Sequence, residues 1–296
     1  MLDKIHGLVC PMVTPFDEAG EVDHRAVRAL VDFLLANGVQ VLFPAGSTGE
    51  GPLLSIEERK ALAETVLDQA AGRVPVIVHT GTLRTDESIA LTRHARDAGA
   101  AAASLITPYF FTFTDDSISD HYLAVARAVP DFPLFIYVFP GNGKHDVTAG
   151  LLARLRAAAP NIVGVKSSNP YLLRLQEYIA AGGEGFIPLC GVDGLMLAGL
   201  SIGSRGQVSG NANVWPELFR RLYDAFCAGD LATARACQVQ IDRLRAVVQD
   251  GLHPAAFKAG LALRGVNGGR VRAPMRELTP PEAAALAAGL KELGIV

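Results

Sequence analysis

The chain is poor in the features that mark whole classes of protein. Its four cysteines, Cys10, Cys190, Cys227 and Cys237, lie far apart and form no CxxC pair, so neither a disulfide framework nor a zinc ribbon is indicated. The reading for all four is a buried free thiol in a reducing compartment. None of the seven histidines shares an HxH or HExxH spacing, and no metal site is expected. No apolar run approaches the ~20 residues that cross a bilayer, and no run of charges reaches five residues. Lys and Arg together number 27 against 30 Asp and Glu, a net charge of -3 that offers no basic field to nucleic acid. The opening MLDKIHGLVCPMVTPF carries an acid and a lysine before a short apolar stretch broken by Pro11, which does not read as a signal peptide. The expectation is a cytoplasmic protein with no membrane or nucleic-acid partner.

What the sequence has is apolar residue: 50% of 296, enough for a full core and too much for a disordered chain. Short apolar runs alternate with amphipathic ones. Strands are predicted at 7–13, 40–44, 75–80, 102–107, 133–139, 162–167, 186–190 and 205–209. Several are apolar throughout, as strands covered on both faces should be. Between them lie helical patterns such as 23–37, where Val27, Leu30, Val31 and Leu34 recur at three and four before Asn37-Gly38 stops the helix. Ser55 followed by acids reads as a helix N-cap. Eight βα units in 1–228 fit a (β/α)8 barrel better than an open doubly wound sheet, the fallback. Residues 229–296 read as a C-terminal extension of three helices, 231–250, 253–264 and 280–293. No internal repeat is present.

In a barrel, chemistry gathers where the strands end. Of six lysines, Lys166 alone ends an apolar strand, Ile162-Val-Gly-Val-Lys166. Partial desolvation of an ammonium at such a place favours the neutral amine, the nucleophile that makes a Schiff base with a carbonyl compound. The alternative is a lysine paired with an acid on a neighbouring strand. Tyr137 ends the preceding strand, so its phenol can lie beside Lys166 and shuttle protons, or simply pack. The loop Ala45-Gly-Ser47-Thr48-Gly-Glu50-Gly51 combines flexible backbone with hydroxyls and amides suited to a carboxylate. It is neither a P-loop nor a GxGxxG, and no nucleotide is indicated.

Taken together, these residues resemble the dihydrodipicolinate synthase/N-acetylneuraminate lyase family of pyruvate-dependent class I aldolases. The matching pieces are Pro11-Met-Val-Thr-Pro-Phe16, Gly46-Ser-Thr-Gly-Glu50, Thr107-Pro-Tyr109, Tyr137-x-x-Pro140, Gly164-Val-Lys166, Gly191-x-Asp193 and Pro254-x-x-x-Lys258. The resemblance implies a (β/α)8 barrel with a three-helix extension, assembled as a homotetramer. It implies that Lys166 forms the imine with pyruvate or another 2-oxo acid, with no separate cofactor, and that Tyr137 donates and accepts protons. Ser47 and Thr48 would hold the carboxylate, Thr48 also steering the proton relay, while Gly191, Asp193 and the backbone around Val208 would border the substrate.

Three positions depart from the named members. Where the synthase usually has a second tyrosine that enters a neighbouring subunit's relay, this chain has Phe110. Where it has an arginine gripping the second substrate's carboxylate, this chain has Asn142, and a neutral amide does not replace a guanidinium. Where sialic acid lyases carry an acid after Asp193, this chain has Gly194. The expected activity is therefore cleavage of a 2-oxo-3-deoxy sugar acid to pyruvate and an aldehyde. The alternatives are condensation of pyruvate in the manner of dihydrodipicolinate synthase, dehydration of a 2-oxo-3-deoxy acid, and simple binding of a 2-oxo acid. Asp193, Asn211, Asn213, Ser209 and Ser168 are candidates for distal hydroxyls, and Lys144 and His145 for a distal acidic group.

Overall fold

A computed structural model describes residues 2–248 and 254–296. The strands are β1 (Gly7–Pro11), β2 (Val41–Phe43), β3 (Ile77–His79), β4 (Ala102–Ile106), β5 (Leu134–Val138), β6 (Ile162–Ser167), β7 (Ile187–Cys190) and β8 (Gly206–Val208). All neighbours are parallel, in the order β2-β1-β8-β7-β6-β5-β4-β3. A parallel bridge between Leu42 and Val76 joins β2 to β3. With that contact the sheet has no free edge, so the architecture is the (β/α)8 barrel and not the open sheet. The strands are shorter than the apolar runs that announced them. Pro44 and Pro75 flank β2 and β3 and have no N–H to extend a ladder.

The helices around the barrel are α1 (His24–Ala36), α2 (Ile56–Ala70), α3 (Thr85–Asp97), α4 (Asp115–Ala128), α5 (Pro140–Gly143), α6 (Ala149–Ala158), α7 (Leu172–Gly182), α8 (Met196–Ser201) and α9 (Pro216–Cys227). The extension comprises α10 (Leu231–Val247), α11 (Pro254–Leu263) and α12 (Pro280–Glu292). Positions 249, 250 and 253 of the expected helices lie outside the described residues.

Local sequence sets these ends. Asp23 accepts from the Ala26 N–H to cap α1, and Ser55 and Glu58 cap α2 reciprocally. Val27, Leu30, Val31 and Leu34 form the buried stripe of α1, each worth roughly 1.5–3 kcal/mol on full burial.

Alternation along the strands makes two cores. Val9, Val41, Phe43, Ile77, Phe135, Leu189 and Val208 fill the barrel interior. Leu8, Leu42, Val78, Leu105, Ile136 and Val165 face the helices, in a cluster that continues into Ile241, Leu244, Phe257 and Leu290 of the extension. All four cysteines are free, but the expectation of burial holds for Cys10, Cys190 and Cys237 only. Cys227 is exposed because the buried stripe of α9 runs through Leu218, Phe219 and Leu222, and the helix turns position 227 away from it. Among the described residues no helix is long and apolar enough to cross a membrane.

Candidate active site

Tyr137 and Lys166 are register partners on the parallel pair β5 and β6. Their side chains therefore leave the same face of the sheet, side by side, into the carboxyl end of the barrel. Gly164, one layer deeper on β6, clears room for that layer. A Cβ there would meet the Phe135 ring at 2.3 Å and the Ile187 carbonyl at 2.5 Å.

Lys166 is 5% exposed and Tyr137 2%. The Lys166 ammonium lies 3.8 Å from the centroid of the Tyr137 ring and 4.6 Å from that of Phe43. Among the described residues it has no ion-pair partner, so the reading of a lysine salt-bridged across strands does not hold. Aromatic faces attract a cation without neutralising it, and the amine stays open to a substrate carbonyl.

Behind the pair sits a second group that sequence reasoning missed. His79, on β3, meets the Tyr137 ring edge-on at 6.0 Å. Buried Arg59 donates to the His79 carbonyl at 2.7 Å and lies 3.2 Å from its Nδ1. Burial first, then Arg59 and Lys166, push His79 well below the usual histidine value, so its ring is neutral. Burial also lowers Arg59, to about 10. Neither residue carries a motif, and only barrel closure brings α2 and β3 beneath Tyr137.

The loop after β2 supplies the next wall. Ser47 Oγ lies 3.5 Å from the Tyr137 hydroxyl. Among the described residues Thr48 makes no hydrogen bond to that phenol, and it borders the cavity together with Ser47. No protein acceptor among the described residues faces the backbone N–H of Ser47 or Thr48, an arrangement that suits a carboxylate. The turn is held from below. Ala45 and Glu50 adopt left-handed φ of 61° and 56°, Thr14 Oγ1 donates to the Gly49 carbonyl at 2.7 Å, and buried Lys258 pairs with Glu50 at 2.6 Å. Lys258 also donates to the carbonyls of Thr14 and Arg270. Burial pulls Lys258 below the usual lysine value, and Glu50 opposes the shift. The Pro254-x-x-x-Lys258 motif is thus the foot of the loop after β2.

A cavity of about 460 Å³ opens above Lys166 and is bordered by Ser47, Thr48, Tyr137, Asn142, Gly191, Asp193, Val208, Asn211 and Ser168. Asp193 accepts from Gln207 Nε2 at 2.8 Å, Ser209 Oγ at 2.7 Å and Asn211 Nδ2 at 2.8 Å. These bonds anchor the loop after β8 to the rim of the cavity. A Cβ at Gly191 would meet Ser168 Oγ at 2.5 Å and the Ser167 carbonyl at 3.0 Å, so glycine is the residue that fits here without a shift. Four other candidates do not border the cavity: Ser209, which donates to Asp193, and Asn213, Lys144 and His145. Asn213 bonds Val13 N–H and the Pro11 carbonyl. Lys144 donates to the Phe110 carbonyl, and His145 contacts Phe111 and Phe113. Phe110 itself is 68% exposed with φ +76°. A larger cavity of about 640 Å³ lies at the opposite, amino end of β3 and β4, away from this chemistry.

Comparison with known proteins agrees with this geometry. Residues 4–293 match the model of the dihydrodipicolinate synthetase family. The chain is 39% identical over 272 residues to the 4-hydroxy-tetrahydrodipicolinate synthase of Sorangium cellulosum, covering 92% of this chain and 90% of that one. Among solved structures, the prophage protein YagE of E. coli K12, of the dihydrodipicolinic acid synthase family and in complex with pyruvate, superposes with a TM-score of 0.94 at 30% identity, over 99% of both chains. A catalytic lysine mutant of the sialic acid aldolase of Ruminococcus gnavus superposes at 0.95 with 27% identity, over 99% of this chain and 97% of that one. The chain belongs to the dihydrodipicolinate synthetase family of pyruvate-dependent lyases and synthases.

Proposed function

We propose that Lys166 forms an imine with pyruvate and that the enzyme joins the resulting enamine to an aldehyde, a condensation of the dihydrodipicolinate synthase type. One observation carries this reading: a buried lysine, register-paired with a tyrosine, sits against two aromatic faces at the barrel mouth. The amine of Lys166 attacks C2 of pyruvate. Tyr137 delivers a proton to the departing oxygen, which leaves as water, and the positive imine nitrogen then acidifies C3. Loss of a C3 proton gives the enamine, whose C3 attacks the aldehyde carbon while the aldehyde oxygen takes up a proton. Hydrolysis of the product imine returns the free lysine. Ser47 extends the phenol's proton path, and the amides of Ser47 and Thr48 with Val208 close around the pyruvate carboxylate.

The names of the sequence relatives favour condensation over cleavage of a sugar acid. Cleavage is the second reading, favoured by the sialic acid aldolase neighbour and by Asn142 in the distal wall. It runs the same imine chemistry backwards.

The test is intact-protein mass after borohydride reduction with pyruvate. A pyruvate adduct is expected on the wild type and not on Lys166→Ala. A folded wild type with no adduct removes the imine. Product analysis with pyruvate plus an aldehyde, against a 2-oxo-3-deoxy acid alone, then separates the two directions.

A further inference from the structure

Three residues from separate motifs, Phe16, Glu50 and Lys258, take no part in the chemistry at Lys166. The fold brings them to one point under the loop after β2. The side chains of Lys258 and Glu50 are 1% and 0% exposed. Lys258 Nζ donates to Glu50 Oε1 at 2.6 Å, and the Arg272 backbone N–H donates to Oε2 at 2.9 Å. Both oxygens of the carboxylate are therefore held by the C-terminal extension. Lys258 Nζ and the Arg272 guanidinium also lie 4.6 Å and 4.3 Å from the centroid of the Phe16 ring. The Arg270 N–H donates to the Phe16 carbonyl at 2.8 Å, and the two backbones pass closely enough that a Cβ at Gly269 would meet the Phe16 nitrogen at 2.5 Å.

The loop needs such a hold. Ala45 and Glu50 keep left-handed φ, which is unfavourable for residues with a side chain and persists where the surroundings enforce it. The turn is closed on itself, with the Gly51 N–H donating to the Gly46 carbonyl at 3.0 Å and the Glu50 N–H to the Ser47 carbonyl at 3.2 Å. A shift of the Glu50 side chain would therefore turn the amides of Ser47 and Thr48 with it. The second tether leads to the same lysine: Thr14 Oγ1 holds the Gly49 carbonyl, and the Thr14 carbonyl accepts from Lys258 at 2.7 Å.

We propose that Glu50 and Lys258 are positioning residues that fix the amides of Ser47 and Thr48 for the carboxylate of the 2-oxo acid. The helical extension, acting through a barrel loop, thereby sets the preference for 2-oxo acids over neutral ketones. The proposal rests on the imine reading of Lys166.

The test follows imine trapping by cyanoborohydride across concentrations of pyruvate and of hydroxyacetone, which keeps the methyl ketone but has no carboxylate. The wild type should reach half-maximal trapping at lower pyruvate than hydroxyacetone. Glu50→Gln should raise the half-maximal pyruvate concentration about tenfold, with hydroxyacetone within about twofold of wild type. The double variant Glu50→Gln/Lys258→Met loses both buried charges, so it should regain urea stability lost by the single variants. It should nevertheless keep the weakened pyruvate binding, and it carries the comparison where a single variant does not fold. Recovery of pyruvate binding together with stability in the double variant overturns the proposal, since the pair would then serve the fold alone. So does an unchanged pyruvate dependence in Glu50→Gln, an equal loss for both ketones, or a wild type that takes both ketones equally. Absence of any pyruvate adduct on the wild type sinks the imine reading instead. Calorimetric titration of pyruvate into wild type and Glu50→Gln then decides the positioning role, and equal heats overturn it.

Discussion

The base and the rim of the cavity are built by different means. At the base, Lys166 and Tyr137 stand on adjacent strands in fixed register, and a one-residue slip would turn both out of the barrel. At the rim, Asn142 comes from the short helix α5, Val192 from the turn after β7, and Arg245 from a helix in the extension. A ladder of backbone bonds sets the base, whereas the rim depends on how separate elements dock. The chemistry is accordingly tied to the barrel, and the choice of second substrate to the packing around it.

The comparison is broken most completely at the base. Lys166→Ala should lower turnover by roughly a thousandfold or more and leave no borohydride adduct, whereas changes at 245 or 194 should leave the pyruvate adduct intact. Tyr137→Phe should cost about a hundredfold to ten-thousandfold in kcat, read against C3 proton exchange of pyruvate, with the adduct still formed at long times. A Tyr137→Phe enzyme of normal rate would reduce the phenol to packing.

Between base and rim lies the support of the loop after β2. Lys258→Met leaves Glu50 buried without its cation and should lower the unfolding free energy by about 3 kcal/mol or more. Urea unfolding measures this, and a loss below about 1 kcal/mol would mean that the pair does not hold the loop.

The smallest effect concerns histidines in the barrel wall. Burial lowers His121 from 6.5 to about 4, so below pH 6.5 the unfolded chain binds a proton that the folded one refuses. Stability from this site is complete above pH 6.5 and falls, at up to about 1.4 kcal/mol per pH unit, as the pH drops toward 4. His79 acts in the same direction. His121→Gln should flatten the decline of urea midpoint over pH 6.5 to 4, and an unchanged slope would exclude the site.

Much of the base was legible in the linear chain. Lys166 stood out because it alone among the lysines closes an apolar strand, and the glycines of 46–51 marked a backbone open to a ligand. The contact of Ser47 with the Tyr137 hydroxyl was not legible, since the direction of a hydroxyl in a turn is not set by its position in the chain. Arg59 and His79 were invisible because a buried arginine in a helix and a histidine in a strand have no spacing rule until the barrel closes. Arg245 was read only as part of a helix, and nothing local separates it from the other arginines of the chain.

Periodicity and strand-end chemistry, which depend on near neighbours in the chain, determined the barrel, its helical extension and the lysine and tyrosine at its mouth. The exposure of Cys227, the grip of Lys258 on Glu50 and the reach of Arg245 over Gly194 were decided by tertiary packing alone. Each joins or separates surfaces whose residues lie far apart in sequence, and no local pattern encodes the distance between them.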